Sequence, residues 1–168
     1  GYIEVLARVS STALVHLQRN RYSVPTEHAH EVVSLRLYPE RIDVVAENAR
    51  IASHVRSFER SQTFYDWRHY VSLIERKPGA LRNGAPFETL PEPLKKLQAI
   101  LQRHEGGDRV MAQVLAAVPV HGLEPVLVAA ELALESGKPS GEHVLNVLAR
   151  LKAGSQEEVA AARTPLTL

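Results

Sequence analysis

The sequence predicts an α+β protein in which a small, mainly antiparallel β-barrel is followed by a bundle of about five α-helices. Three observations predict it. Several short strand-like runs recur at roughly ten-residue spacing between residues 11 and 57. At Asp66 the apolar period changes from two to that of a helix. From there to Leu151, Gly and Pro separate apolar stripes of helical length. A chain of 168 residues is enough for one compact domain or two small ones.

The strands come first. Ala13–Leu17 and Tyr22–Val24 flank a polar turn at Gln18-Arg19-Asn20, and Pro25, which has no N–H for a ladder, ends the second run. Val32–Leu37 alternates imperfectly and stops at Tyr38-Pro39-Glu40. Arg41–Val45 puts Ile42 and Val44 on one face and Asp43 on the other, as a half-buried strand requires. Glu47-Asn48 turns the chain into Arg50–Val55. About five short strands suit an SH3-like barrel over residues 1–62.

The helices follow. Trp67, Tyr70, Val71 and Ile74 share one helical face, Asp66 is a plausible N-cap, and Lys77-Pro78-Gly79 stops the element. A Gly/Pro loop over 78–88 leads to a helix striped by Leu94, Leu97, Ile100 and Leu101. Residues 63–104 thus form a linking region. Asp108 could cap the third helix, with Val110, Met111, Val114, Leu115 and Val118 inward, and Pro119 and Gly122 break the chain again. Leu123, Val126, Leu127, Ala130 and Leu134 mark the fourth, closed by Gly137. Ser140 can cap the fifth, with Val144, Leu148 and Leu151 inward. Short connections make a bundle over 105–153. Residues 154–168 read as a flexible tail. No strong internal repeat is visible.

Cysteine is absent, which excludes disulfides, thiolate metal sites and a cysteine nucleophile, and fits a reducing cytoplasm. No apolar run approaches the roughly 18 residues of a membrane span. Net charge is +1, but it is unevenly spread. Residues 1–104 carry 15 Lys/Arg against 11 Asp/Glu; residues 105–168 carry 5 against 8. Nucleic acid, if bound, would meet the first two-thirds.

Four stretches stand in a telling order: Asn20-Arg21-Tyr22-Ser23-Val24-Pro25, His54-Val55-Arg56, His69-Tyr70-Val71, and Arg76-Lys77-Pro78-Gly79-Ala80-Leu81-Arg82-Asn83-Gly84-Ala85-Pro86-Phe87. In this order and spacing the chain resembles, from about Val9 to Leu151, the C-terminal half of IstA-type insertion-sequence transposases of the integrase-like DDE superfamily. The resemblance implies an SH3-like barrel and a role in moving DNA. It also implies three partners: transposon-end DNA, other transposase protomers, and an AAA+ ATPase similar to IstB. The setting would be the bacterial cytoplasm, at the nucleoid, with no membrane. The chain starts at Gly1 and reads as a piece of a longer protein.

The residues give no catalytic centre of their own. DDE chemistry needs three carboxylates to hold two metal ions. Asp43 is the single aspartate in the first 65 residues, and Asp66 and Asp108 read as caps. No cofactor is expected here, and Mg²⁺ is implied for an upstream catalytic core alone. His28, His30, His54 and His69 invite a metal reading, but no acidic or sulfur ligand stands at ligand spacing. The serines lack a nucleophile elbow.

The basic set is the functional candidate. Arg19 and Arg21 flank the first turn, and Arg56 and Arg60 leave the last strand. Arg68, Ser72 and Arg76 follow at helical i, i+4 and i+8, with Lys77 and Arg82 extending the line. Such a ridge suits phosphates. The competing reading is a solvated face partly paired to Glu59 and Glu75. Tyr22, Tyr65, Trp67 and Tyr70 could stack on bases, or pack the barrel against the first helix. The acidic bundle offers Glu124, Glu131 and Glu135 to a basic partner such as the ATPase. The alternative function is a protein-association module without DNA contact, and a metal-dependent hydrolase is a third class.

Overall fold

A computed structural model describes the backbone of residues 1–137 and 139–163, and their side chains except at 83 and 155–163. Seven strands come first: β1 Ile3–Arg8, β2 Leu14–Leu17, β3 Asn20–Ser23, β4 Val32–Leu37, β5 Arg41–Ala46, β6 Ala49–Val55 and β7 Thr63–Phe64. Five α-helices follow among the described residues: α1 Val71–Arg76, α2 Glu92–Leu101, α3 Gly107–His121, α4 Leu123–Glu135 and α5 Gly141–Arg163. The α+β class therefore holds. The chain forms two compact units. The β unit holds 1–73 and 83–89; the helical unit holds 74–82 and 90–168.

In the β unit the strands make two sheets, ordered β1-β4-β5-β6 and β2-β3-β7. Among the described residues no ladder joins their edges into a closed barrel. Two tight hairpins set the registers. Gln18 and Arg19 sit at φ 48° and 70°, Glu47 and Asn48 at 50° and 64°. Two consecutive left-handed residues give the turn whose twist matches an antiparallel pair. In β4 the side chains of Val33, Leu35 and Leu37 alternate inward. In β5 Ile42, Asp43, Val44, Val45 and Ala46 are all buried, so both of its faces are covered. Two strands escaped the sequence reading: β1, which pairs antiparallel with β4, and the two-residue β7, which lies parallel to β3.

Trp67, Tyr70, Val71 and Ile74 are buried as their spacing requires. The segment begins as a 3-10 turn, Trp67–Tyr70, before α1. Asp66 caps it by accepting from the Arg68 amide at 3.1 Å. In the helical unit the core is aliphatic: Leu94, Leu97, Leu101, Met111, Leu115 and Val126 are essentially inaccessible. Gly107 lies against the Leu101 carbonyl so closely that a Cβ would collide with it. Gly137, at φ 82°, follows α4, and the Ser140 hydroxyl accepts from the His143 amide at 3.1 Å to cap α5.

Two expectations are corrected. Asp108 is not the cap of α3; that position is Gly106, in the left-handed region, and Asp108 lies in the first turn. Pro119 does not end α3, which continues to His121. Such a proline removes one intrahelical bond and crowds the carbonyl four residues back, and the helix ends two residues later. Of the expected tail, α5 occupies 154–163 and residues 164–168 lie outside the described residues.

Candidate nucleic-acid interface

One end of the β unit gathers four of the sequence-predicted arginines by backbone bonds. Arg19 and Arg21 bracket the start of β3. The Arg19 carbonyl accepts from the Ser61 amide at 2.9 Å, and the Arg21 amide donates to the Gln62 carbonyl at 2.9 Å. This ties the β2–β3 hairpin to the 56–62 loop, which carries Arg56 and Arg60. Arg19, Arg21 and Arg60 are exposed, and among the described residues their side chains form no ion pair. Arg56 is different. Its two terminal nitrogens donate to the Tyr38 carbonyl at 2.9 Å and to Gln18 Oε1 at 3.2 Å, so it is half-committed to the fold.

The loop itself is strapped down by Asn20, which is fully buried. Asn20 Nδ2 donates to the carbonyls of Ser57 and Glu59, at 3.2 and 2.9 Å, and Oδ1 accepts from the Gln62 amide at 3.0 Å. The Ser57 amide donates to the Tyr22 hydroxyl at 3.0 Å. Buried polar groups are costly unless paired. Here the pairing fixes a surface loop.

Behind this lies a second polar knot. The Ser23 hydroxyl accepts from the Asp66 amide and pairs with His69 Nδ1, both at 2.8 Å. His54 Nε2–H donates to the Ser23 carbonyl at 2.6 Å. Burial holds both imidazoles below their ordinary pKa. His69 falls to about 4, with the Asp66 carboxylate opposing the shift. The neutral imidazole carries its proton on one ring nitrogen, and the direction of the Ser23–His69 bond follows that tautomer. Of the histidines singled out for metal binding, His54 and His69 are thus spent on the fold. His28 Nδ1 pairs with Glu31 at 2.7 Å, and among the described residues no group of three or more His, Cys, Asp or Glu is placed to hold a metal.

The line from Arg68 to Arg82 is not one helical ridge. Arg68 lies in the 3-10 turn and in the β unit, where its guanidinium is 5.6 Å from the Trp67 ring centroid. Ser72 is engaged with Thr26 and Glu27. Arg76, Lys77 and Arg82 belong to the helical unit. There Arg76 and Arg109 line a cleft of about 430 Å³ with Glu75, Pro78 and Gln113. Arg109 carried no signal in the sequence beyond its charge. Arg82 Nε donates to Asp108 Oδ2 at 2.7 Å, an ion pair that occupies it.

The aspartates are committed as well. Asp43 accepts from the Ser53 hydroxyl at 2.8 Å and sits 3.4 Å from Arg41 Nε. Asp66 caps and Asp108 pairs. The aromatic residues Tyr22, Trp67 and Tyr70 are buried, and Tyr65 meets Tyr70 edge-on at 5.9 Å, so all four serve packing. Burial pushes the Tyr70 phenol pKa up, and its hydroxyl donates to the Thr12 carbonyl at 2.9 Å. Among the acidic residues, Glu131 and Glu135 share a cleft of about 300 Å³ with Glu92, Lys96 and Leu134; Glu124 lies apart in the first turn of α4.

Residues 2–66, the β strands and the strapped loop, match the family of the Mu transposase C-terminal domain. The chain is similar to insertion-sequence transposases. It is 53% identical over 156 residues to the transposase for insertion sequences IS1326/IS1353 of Pseudomonas aeruginosa and to that of Shigella flexneri. It is 51% identical over 159 residues to a transposase of Aminobacter aminovorans. These matches cover 90–92% of this chain and 31% of each relative, so the chain spans about a third of their length. No solved structure gives a significant match. No helix among the described residues is long and apolar enough to cross a membrane.

Proposed function

We propose that the chain is the C-terminal accessory region of an IstA-type DNA transposase. Its β unit, read as an opened SH3-like barrel, holds transposon-end DNA in the synaptic complex. Its helical unit contacts other protomers and an AAA+ ATPase similar to IstB. Strand cleavage and its Mg²⁺ belong to another part of the parent protein, which works at the bacterial nucleoid. The observation that carries the reading is the pairing of 53% identity to transposases over 90% of the chain with Arg19, Arg21 and Arg60 around one loop, exposed and, among the described residues, outside any ion pair.

A gel-shift titration of the 168-residue protein on transposon-end duplex tests it. Affinity is expected to fall steeply with salt, and each phosphate contact removed lowers the log–log slope by about one. Arg19→Glu with Arg21→Glu should weaken binding and flatten the slope. Unchanged affinity and slope would remove the hairpin from the DNA face and favour a protein-association module. For the ATPase, Glu131→Lys with Glu135→Lys should abolish its capture by the protein; undiminished capture would place that contact elsewhere.

A further inference from the structure

Phe58 stands out in the strapped loop. It is 73% exposed, and its neighbour Val55 is 83% exposed. A large apolar ring in water costs free energy, and a free loop would fold it away. Here the loop is not free. Asn20 and the Tyr22 hydroxyl pin the backbone at Ser57, Glu59 and Gln62, on both sides of Phe58. Arg56, itself anchored to the Tyr38 carbonyl, holds its guanidinium 4.9 Å from the ring centroid. One side of the ring is thereby backed by a cation and the rest left to solvent. Beside the loop opens a cleft of about 470 Å³ whose walls include Phe64 and Tyr65.

We infer that Phe58 is a stacking platform for an unpaired nucleobase at a single-stranded DNA end. The inference rests on the DNA reading above and names the part of DNA the loop takes. Charge decides for DNA over a protein partner. Exposed Arg19, Arg21 and Arg60 frame the loop, with Glu59 the acidic residue in it. Phosphates on such a frame bring bases to the ring, and every base has a face to stack. Arg56 is a positioning residue: it holds the ring through cation–π contact instead of taking a phosphate.

The test uses the 168-residue protein and two probes, a blunt duplex and the same duplex with a three-nucleotide overhang carrying 2-aminopurine. The wild type should prefer the overhang by about ten-fold, the ratio that one base–aromatic stack supplies, and should quench the 2-aminopurine. Phe58→Ala should lose the preference and the quench while keeping blunt-duplex affinity and salt slope; Phe58→Trp should keep both. Equal binding of the two probes by wild type and Phe58→Ala would overturn the stacking site and leave the DNA reading standing. No binding of either probe would sink both. Self-association lost in Phe58→Ala, with DNA binding unchanged, would assign the ring to a protein contact and overturn the inference.

Discussion

Asn20 spends a fully buried side chain on three bonds to a surface loop, and no apolar residue could replace it. Asn20→Ala leaves two carbonyls and an amide without partners and is expected to cost about 2–3 kcal/mol, read as a lower urea midpoint. It should also erase the overhang preference assigned to Phe58, because an unpinned loop lets the ring turn inward. Retained stability would mean the strap is dispensable. His69 acts on the same unit through protonation. Its surroundings are Ser23, the His54 ring, and the carboxylates of Asp66 and Glu27. Burial holds its folded pKa near 4, below the unfolded value of 6.5. The stabilisation is therefore fully present above pH 6.5 and is lost as pH falls from 6.5 towards 4, because the unfolded chain takes up the proton first. His54 shifts in the same direction. His69→Gln should flatten the fall in unfolding free energy across that window; an unchanged slope would show that His69 is not the group titrating.

At the scale of elements, the β2–β3 hairpin combines strain with display. Gln18 and Arg19 both occupy the left-handed region, where an L-residue with a Cβ costs about 1–2 kcal/mol and glycine does not. Arg19→Gly should therefore raise stability by roughly 0.5–1 kcal/mol, while DNA affinity falls and the salt slope drops by about one. A variant that loses stability would show that the Arg19 side chain packs in a way its exposure does not suggest. This hairpin was legible in the sequence because a polar tripeptide between two short, largely apolar runs, the second stopped by Pro25, has few other solutions. The Glu47-Asn48 turn was legible for the same reason, and Asp66 and Ser140 because capping is local chemistry. β1 was not. Glu4-Val5-Leu6-Ala7-Arg8 is composed mostly of good helix formers, and what makes it a strand is pairing to β4 nearly thirty residues away. β7 is two residues long and is defined entirely by β3. The site divided along the same line. Arginines could be counted, but Arg56 bound to the Tyr38 carbonyl and Arg82 bound to Asp108 are tertiary facts. Phe58 had no periodicity to mark it; an aromatic between two arginines, in a stretch lacking alternation, was the one available signal.

On the scale of the whole molecule, the two units differ in what they are made of. All nine aromatic residues, five Tyr, three Phe and Trp67, fall within 1–73 or 83–89. The helical unit holds none, and its core is Leu, Val, Ile, Ala and Met111. Charge does not follow the units: the β unit carries 9 Lys/Arg against 9 Asp/Glu, and the helical unit 11 against 10. Each unit has its own buried set, which is the physical condition for separate cooperative unfolding. Aromatic signals therefore report the β unit, and the far-ultraviolet helical signal reports chiefly the helical unit. Leu115 is fully buried in α3, so Leu115→Ala should cost about 2–5 kcal/mol of helical stability. The loss should appear as an earlier transition at 222 nm, with the Trp67 fluorescence transition unmoved. In the same variant, blunt-duplex affinity measured below the 222 nm transition should match the wild type, because the arginines around the strapped loop stand on the other core. Coincident shifts of both transitions would mean that the two cores unfold as one, and DNA affinity lost in step with helix content would move the DNA face onto the helical unit, towards Arg76 and Arg109.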